Sequence, residues 1–233
     1  MTKNREIFKF IAQDNEFMAK YLFGFMDRFV YTSADIEKIK TIDKRKEIII
    51  NLTQALQMAI DEPSEAINPY DIIGIANTVN ESAGYSGVRN IPVSAGKYAT
   101  FTPVEPRHIY NKLYELCAHY RDLWCDLDPY EREAFLHIFL MRTHPFEDGN
   151  KRTSRILLNS NLIRNGCAPV IITEGDNEEY YNYINEMNTK GFADFLKNRS
   201  AIELQNMISL YKLEKRLGIG ESIEEYMQTN KSR

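Results

Sequence analysis

The chain has 233 residues, enough for one large domain or two small ones with a self-sufficient core. Its composition, 43% hydrophobic and 27% charged, is that of an ordinary soluble globular protein. A net charge of −4 excludes a global basic field, so direct nucleic-acid binding is not expected, and no run approaches the ~18 apolar residues that cross a bilayer.

Taken in chain order, the elements are predicted to be almost all helical. The N-terminus has neither a long apolar run nor a small-residue cleavage site, so no signal peptide is expected. Apolar residues at three- and four-residue spacing predict one or two helices over 5–32, a strong helix over 43–60 and another over 70–82. Residues 83–106 break the pattern with Gly84, Gly87, Gly96, Pro92, Pro103 and an alternating Val88, Ile91, Val93; this predicts a β-hairpin or extended flap. Helical spacing resumes over 107–127, 129–143, 151–166, 177–188 and 191–220, and the polar 221–233 is expected to fray. No repeat, low-complexity tract or Gly/Ser linker divides the chain. The expected fold is mainly α, a single-domain helical bundle with one inserted β-hairpin flap. Cys117, Cys125 and Cys167 are odd in number and match no zinc spacing, so free thiols in a reducing, cytoplasmic setting are expected.

One stretch concentrates chemistry: HPFEDGNKRTSR, His144 to Arg155. Asp148-Gly149-Asn150 is a turn signature, and helical spacing follows it through Ile156, Leu157, Leu162 and Ile163. The stretch therefore runs from a helix end through a tight loop into a helix start, where backbone N–H groups and the dipole favour an anion. Gly149 permits close backbone approach, Asn150 adds an amide, and Lys151, Arg152 and Arg155 add three positive charges. By these criteria it is a phosphate site, although a basic helix start that merely satisfies nearby acids has the same composition. Asp148 is placed to hold Mg²⁺ together with phosphate oxygens and water. His144 is a candidate general base, whereas His137, inside AFLHIFL, reads as structural. Phe146 is expected to anchor the loop in the core.

These residues carry a family resemblance. HPFEDGNKRTSR resembles the Fic signature H-x-F-x-D/E-G-N-G-R-x-x-R at His144, Phe146, Asp148, Gly149, Asn150, Arg152 and Arg155, and the likeness covers most of 70–196. It implies N-terminal helices over 1–69, a Fic core over 70–200, and a C-terminal helix with polar tail over 201–233. It further implies an enzyme that moves AMP from ATP, with Mg²⁺, to a hydroxyl of a target protein, self-modification included. His144 would be the base and Asp148 the metal ligand. Gly149, Asn150, Arg152 and Arg155 would hold the phosphates. Tyr180 and Tyr183 would wall the base of the nucleotide, though tyrosines so spaced also suit a core. The flap residues Gly87, Val88, Arg89, Asn90, Ile91, Pro92 and Val93 would dock an extended segment of the target by strand addition.

The departure is Lys151, where the family has glycine. Doc toxins, which are kinases moving the γ-phosphate, also carry Asn-Lys-Arg, so phosphoryl transfer stays open beside AMP transfer, as does a non-catalytic binding module. Lysine pointing to solvent is the plainer alternative. Many Fic proteins also carry an inhibitory helix, S/T-x-x-x-E-G/N. Within 30–42, Ser33 and Glu37 fit its spacing and Lys38 departs from it, so the resemblance makes Ser33 and Glu37 inhibitory candidates, with an ordinary surface helix as the alternative. The target, the oligomeric state and the preferred nucleotide are not legible in the sequence.

Overall fold

Apolar periodicity becomes helix along nearly the whole chain, in a computed structural model that describes residues 2–36, 42–61, 67–217 and 222–231. The helices are α1 Lys3–Ala12, α2 Asn15–Ile36, α3 Ile42–Asp61, α4 Pro69–Val79, α5 Ile109–Asp122, α6 Pro129–Thr143, α7 Asn150–Arg164, α8 Asn177–Asn185, α9 Thr189–Lys215 and α10 Ile223–Lys231. Local chemistry sets several boundaries. Asp14 accepts the N–H of Phe17 at 3.1 Å and splits the first predicted segment into α1 and α2. Asn68, Pro69 and Asp71 form a capping box that opens α4. Asp128 and Pro129 open α6 in a related way, with the N–H of Tyr130 donating to the Asp128 side chain.

α6 and α7 are buried on nearly every side and divide the core in two. Leu136 and Leu140 of α6, with Ile156 and Leu157 of α7, face the cluster built on α1 to α5, the second half of α9 and α10. Ala134, Ile138 and Met141, with Leu158 and Leu162, face the cluster built on α8 and α9. A buried helix normally reads as continuously apolar, yet α7 also carries Asn159, Ser160 and Asn161. Each is satisfied: Asn159 accepts the N–H of Val170 at 2.6 Å, Ser160 donates to Leu157 O, and Asn161 donates to Glu133 at 3.0 Å. Glu133, fully buried on α6, also accepts the hydroxyl of Tyr120 at 2.5 Å, so one carboxylate joins α5, α6 and α7.

Two expectations are corrected. The segment 221–233 does not simply fray, because Ile223 and Met227 of α10 are buried and Tyr226 packs edge-on against Phe10 and Tyr211. The β-hairpin is absent, since the described residues contain no strand. The flap is instead an irregular loop, and its chemistry says why. Pro92 and Pro103 lack the N–H that a ladder needs. Gly87 and Gly96 take φ of +69° and +92°. The carbonyls of Ile91 and Val104, one on each arm, accept from the Arg89 guanidinium rather than from each other. Asn185 ties the far end to α8 by binding Tyr98 O and Thr100 N. No helix among the described residues is long and apolar enough to cross a membrane.

Candidate active site

The loop between α6 and α7 turns on His144, which caps α6 in the left-handed region at φ 49°. Its Nδ1 lies 3.3 Å from Met141 O. A carbonyl only accepts, so Nδ1 carries the proton and Nε2 keeps a lone pair. Burial pushes the imidazole pKa down to about 4, against the Met141 bond, with the charges of Arg89 and Lys151 adding to the depression. His144 is therefore neutral at ordinary pH. It is also 92% removed from solvent, being 8% exposed, rather than lying in an open loop.

The rest of the loop is held by side chains. Phe146 is 1% exposed and anchors it, as expected. The Asn150 amide grips the same residue twice, accepting from Phe146 N at 3.0 Å and donating to Phe146 O at 2.8 Å. That side chain thus holds the loop together, and Asn150 also lines the cavity described below. Gly149 sits at φ 77°, where a Cβ would lie 2.5 Å from Asn80 Oδ1 and 2.9 Å from Val79 Cγ1. Asn80 is buried and donates to Asp148 O at 2.9 Å. The last turn of α4 therefore presses directly on the loop, and its neighbour Asn77 accepts the N–H of Gly87 at the start of the flap.

The first intrahelical bond of α7 runs from Thr153 N to Gly149 O, which leaves the amides of residues 150–152 at the open, positive end of the helix. Arg152, 4% exposed, pairs with Asp148 at 2.9 Å. Burial works to raise the Asp148 pKa, but Arg152, the Gly149 N–H and Lys44 of α3 outweigh it, so the carboxyl is held below its ordinary value. Arg155 is wholly buried and its charge contributes, after burial, to pushing His137 down to about 3. His137 is structural as expected, bonded to Tyr180 at 2.6 Å and to Ser154 O.

His144 and the loop that follows it open on a cavity of about 190 Å³, whereas the expected phosphate residues Arg152 and Arg155 are buried and are not among the residues that line it. Its floor is His144 with residues 147–151, and its other wall is Ser94, Ala95 and Gly96 of the flap. Lys151 lines the cavity, and its charge contributes to the depression of His144. The donor set suits Mg²⁺. No cluster of three or more His, Cys, Asp or Glu exists among the described residues, but a cation that arrives with phosphate oxygens and water needs only one or two carboxylates. Asp148 is ionised, and its side chain is 52% exposed beside Glu147.

Other expected site residues lie elsewhere. Tyr180 is 1% exposed, packed between His137 and Phe192, and has no face for a nucleotide; core packing claimed it. Tyr183 is partly exposed, with its hydroxyl on Glu179 and its ring against Phe192 and Phe195. Within the flap, Asn90, Ile91 and Pro92 are exposed and Gly87, Val88 and Val93 partly so, but Arg89 is buried and faces inward. Ser33 is buried near the end of α2, and Glu37 lies outside the described residues. Asn80 and the 94–96 wall carried no sequence signal, being ordinary turn residues on their face.

A buried pair of helices joined by this histidine-to-arginine loop defines a class of mainly helical proteins. The profile of the Fic/DOC family matches residues 46–162, half of the chain, and the chain belongs to that family. Protein adenylyltransferase fic-1 of Caenorhabditis briggsae is 35% identical over 132 residues, covering 52% of this chain and 26% of the relative. Protein adenylyltransferase Fic of Nematostella vectensis is 31% identical over 169 residues, covering 68% of this chain and 38% of the relative. The chain thus spans well under half the length of these relatives. Among solved structures, a Fic domain containing signaling protein from Bacteroides thetaiotaomicron shares the fold, with TM-score 0.72, 21% identity and coverage of 95% of this chain and 98% of that one. Fic-1 from C. elegans gives TM-score 0.69 at 24% identity, covering 91% and 73%. IbpAFic2 covalently tethered to Cdc42 gives 0.55 at 17%, covering 85% and 69%.

Proposed function

We propose that the chain is a protein adenylyltransferase that moves AMP from ATP to a hydroxyl side chain of a target protein, itself included. The observation that carries this reading is His144: neutral, with Nδ1–H committed to Met141 O and Nε2 left as acceptor, in the cavity that also holds Asp148 and the start of α7. Nε2 takes the proton of a Ser, Thr or Tyr hydroxyl as its oxygen bonds to the α-phosphorus; the bond to pyrophosphate breaks and the proton passes on to solvent. Amides of residues 150–152, with Arg152 and Arg155, hold phosphate charge, and most of the acceleration is positioning and charge neutralisation. Asp148 would hold Mg²⁺, which supplies neutralisation of the phosphate oxygens. Tyr183 remains a candidate contact for the nucleotide base.

Exposed Asn90, Ile91 and Pro92 are the flap residues open to a target segment. A folded target protein is supported by the neighbour IbpAFic2, whose structure is tethered to Cdc42. The adenylyltransferase relatives support AMP as the group moved. Lys151 in the cavity is the one feature that favours γ-phosphoryl transfer as a second reading. We place a brake at Ser33 and Glu37, with Glu37 set against Arg155. Three free thiols fit a cytoplasmic setting. Replacing His144 by Ala tests the assignment: label transfer from ATP should fall ~10²–10⁴-fold in a variant that still binds ATP. Wild-type rates in that variant would refute it.

A further inference from the structure

We infer that Arg89 is the positioning residue of this site, its guanidinium locking the His144 turn and both arms of the flap into one frame so that base and docking segment move as a unit. The inference rests on the adenylyltransferase reading for its catalytic part. Arg89 Nε donates to His144 O at 2.7 Å, Nη1 to Ile91 O at 2.8 Å, and Nη2 to Val104 O. Its backbone N–H adds Pro145 O at 2.9 Å. One residue thus binds the two carbonyls that follow α6 and one carbonyl on each flap arm.

Three features make this more than packing. First, Arg89 is 3% exposed, and among the described residues no carboxylate pairs with it. A buried cation is costly unless dipoles replace its water, and here carbonyl dipoles do so. Second, the flap has no strand ladder, so between residues 91 and 104 its main chain is tied to the rest of the fold by this fork and by Asn185, with Tyr98 against Tyr181 and Phe101 under Arg142 as side-chain anchors. The Ser94–Gly96 stretch that walls the cavity lies between those anchors. Third, the left-handed turn at His144 leaves its carbonyl to Arg89 while its N–H donates to Leu140 O and Nδ1 is held by Met141, so among the described residues Arg89 is the one hydrogen-bond partner from outside α6 that fixes the main chain of the base. The three bonds leave three different nitrogens held in one rigid plane, whereas the three N–H groups of an ammonium leave a single nitrogen.

The test uses the full chain as wild type, Arg89→Lys and Arg89→Met, with two readouts. Hydrogen exchange should rise about tenfold or more at residues 90–104 in both variants while α6 and α7 stay protected. In label transfer from ATP, kcat should fall ~10²-fold in both, as expected for a misplaced base, and Arg89→Lys should keep the KM for ATP because its charge remains. Two results overturn the inference: Arg89→Lys with wild-type exchange and kcat, or loss of activity that tracks lost protection of α6 and α7, which is plain unfolding. If wild type transfers no label from ATP, the adenylyltransferase reading fails. The exchange pattern then still decides the frame, and unchanged exchange at 90–104 overturns it.

Discussion

Gly149 shows how tightly single residues define this site. Its φ of 77° and the 2.5 Å that would separate a Cβ from Asn80 Oδ1 leave no room for a side chain. Gly149→Ala should therefore lose about 2–3 kcal/mol, combining left-handed strain with the broken Asn80–Asp148 bond. The double variant with Asn80→Ala should cost less than the sum of the two single changes, because the two residues share one space. Thermal or urea unfolding of the four proteins measures this, and strict additivity would rule out the contact. The motif glycine was legible in the sequence, because a turn between a helix end and a helix start demands one. Asn80 was not, since nothing local marks an asparagine that acts on a loop 68 residues away. Asn150 was legible as a site residue, but the two bonds by which its side chain shapes the loop were not.

At the level of elements, helix spacing made α3 to α9 readable to within a few residues, and the glycines and prolines marked the flap. Its form was misread because alternation of Val88, Ile91 and Val93 promised a ladder that the prolines and Arg89 displace. For Tyr180 the core alternative is the one the packing matches, because helical spacing places a tyrosine on a face without saying which face is covered. Glu37 of the proposed brake falls between α2 and α3 in the sequence. Lys44, in the first turn of α3, acts on Asp148, which brings this end of α3 to the site. With Glu37 as a brake on Arg155, Glu37→Gly should raise self-modification about tenfold or more, equivalent to ~1.4 kcal/mol for each factor of ten. Label incorporation at equal ATP checks it, and an unchanged rate in a folded variant would leave Ser33 and Glu37 an ordinary helix segment.

Across the whole molecule, three buried groups give a signed pH dependence. His137 and His144 are depressed to about 3 and about 4 by burial, and Glu133 is raised by burial to about 7. Between about pH 4.5 and 6.5 the unfolded chain binds both histidine protons while the folded chain keeps only the Glu133 proton. The unfolded state thus holds one more proton, and stability falls with acid by about 1.4 kcal/mol per pH unit. From about 6.5 to 7 only Glu133 differs and the sign reverses, so their joint contribution peaks near pH 6.5. Glu133→Gln, which mimics the protonated acid, should remove the alkaline fall and about double the acid slope. Unfolding free energies from pH 4.5 to 8 test this, and a variant with the wild-type profile would contradict it.

The central claim is that α-phosphate chemistry occurs at His144. Wild type and His144→Ala are incubated with Mg²⁺ and ATP labelled at either the α- or the γ-phosphate, and label retained on protein is measured. The expected result is α-label on wild type, no γ-label, and neither on His144→Ala. Retention of γ-label without α-label would assign the cavity, with Lys151 in it, to phosphoryl transfer and contradict the account.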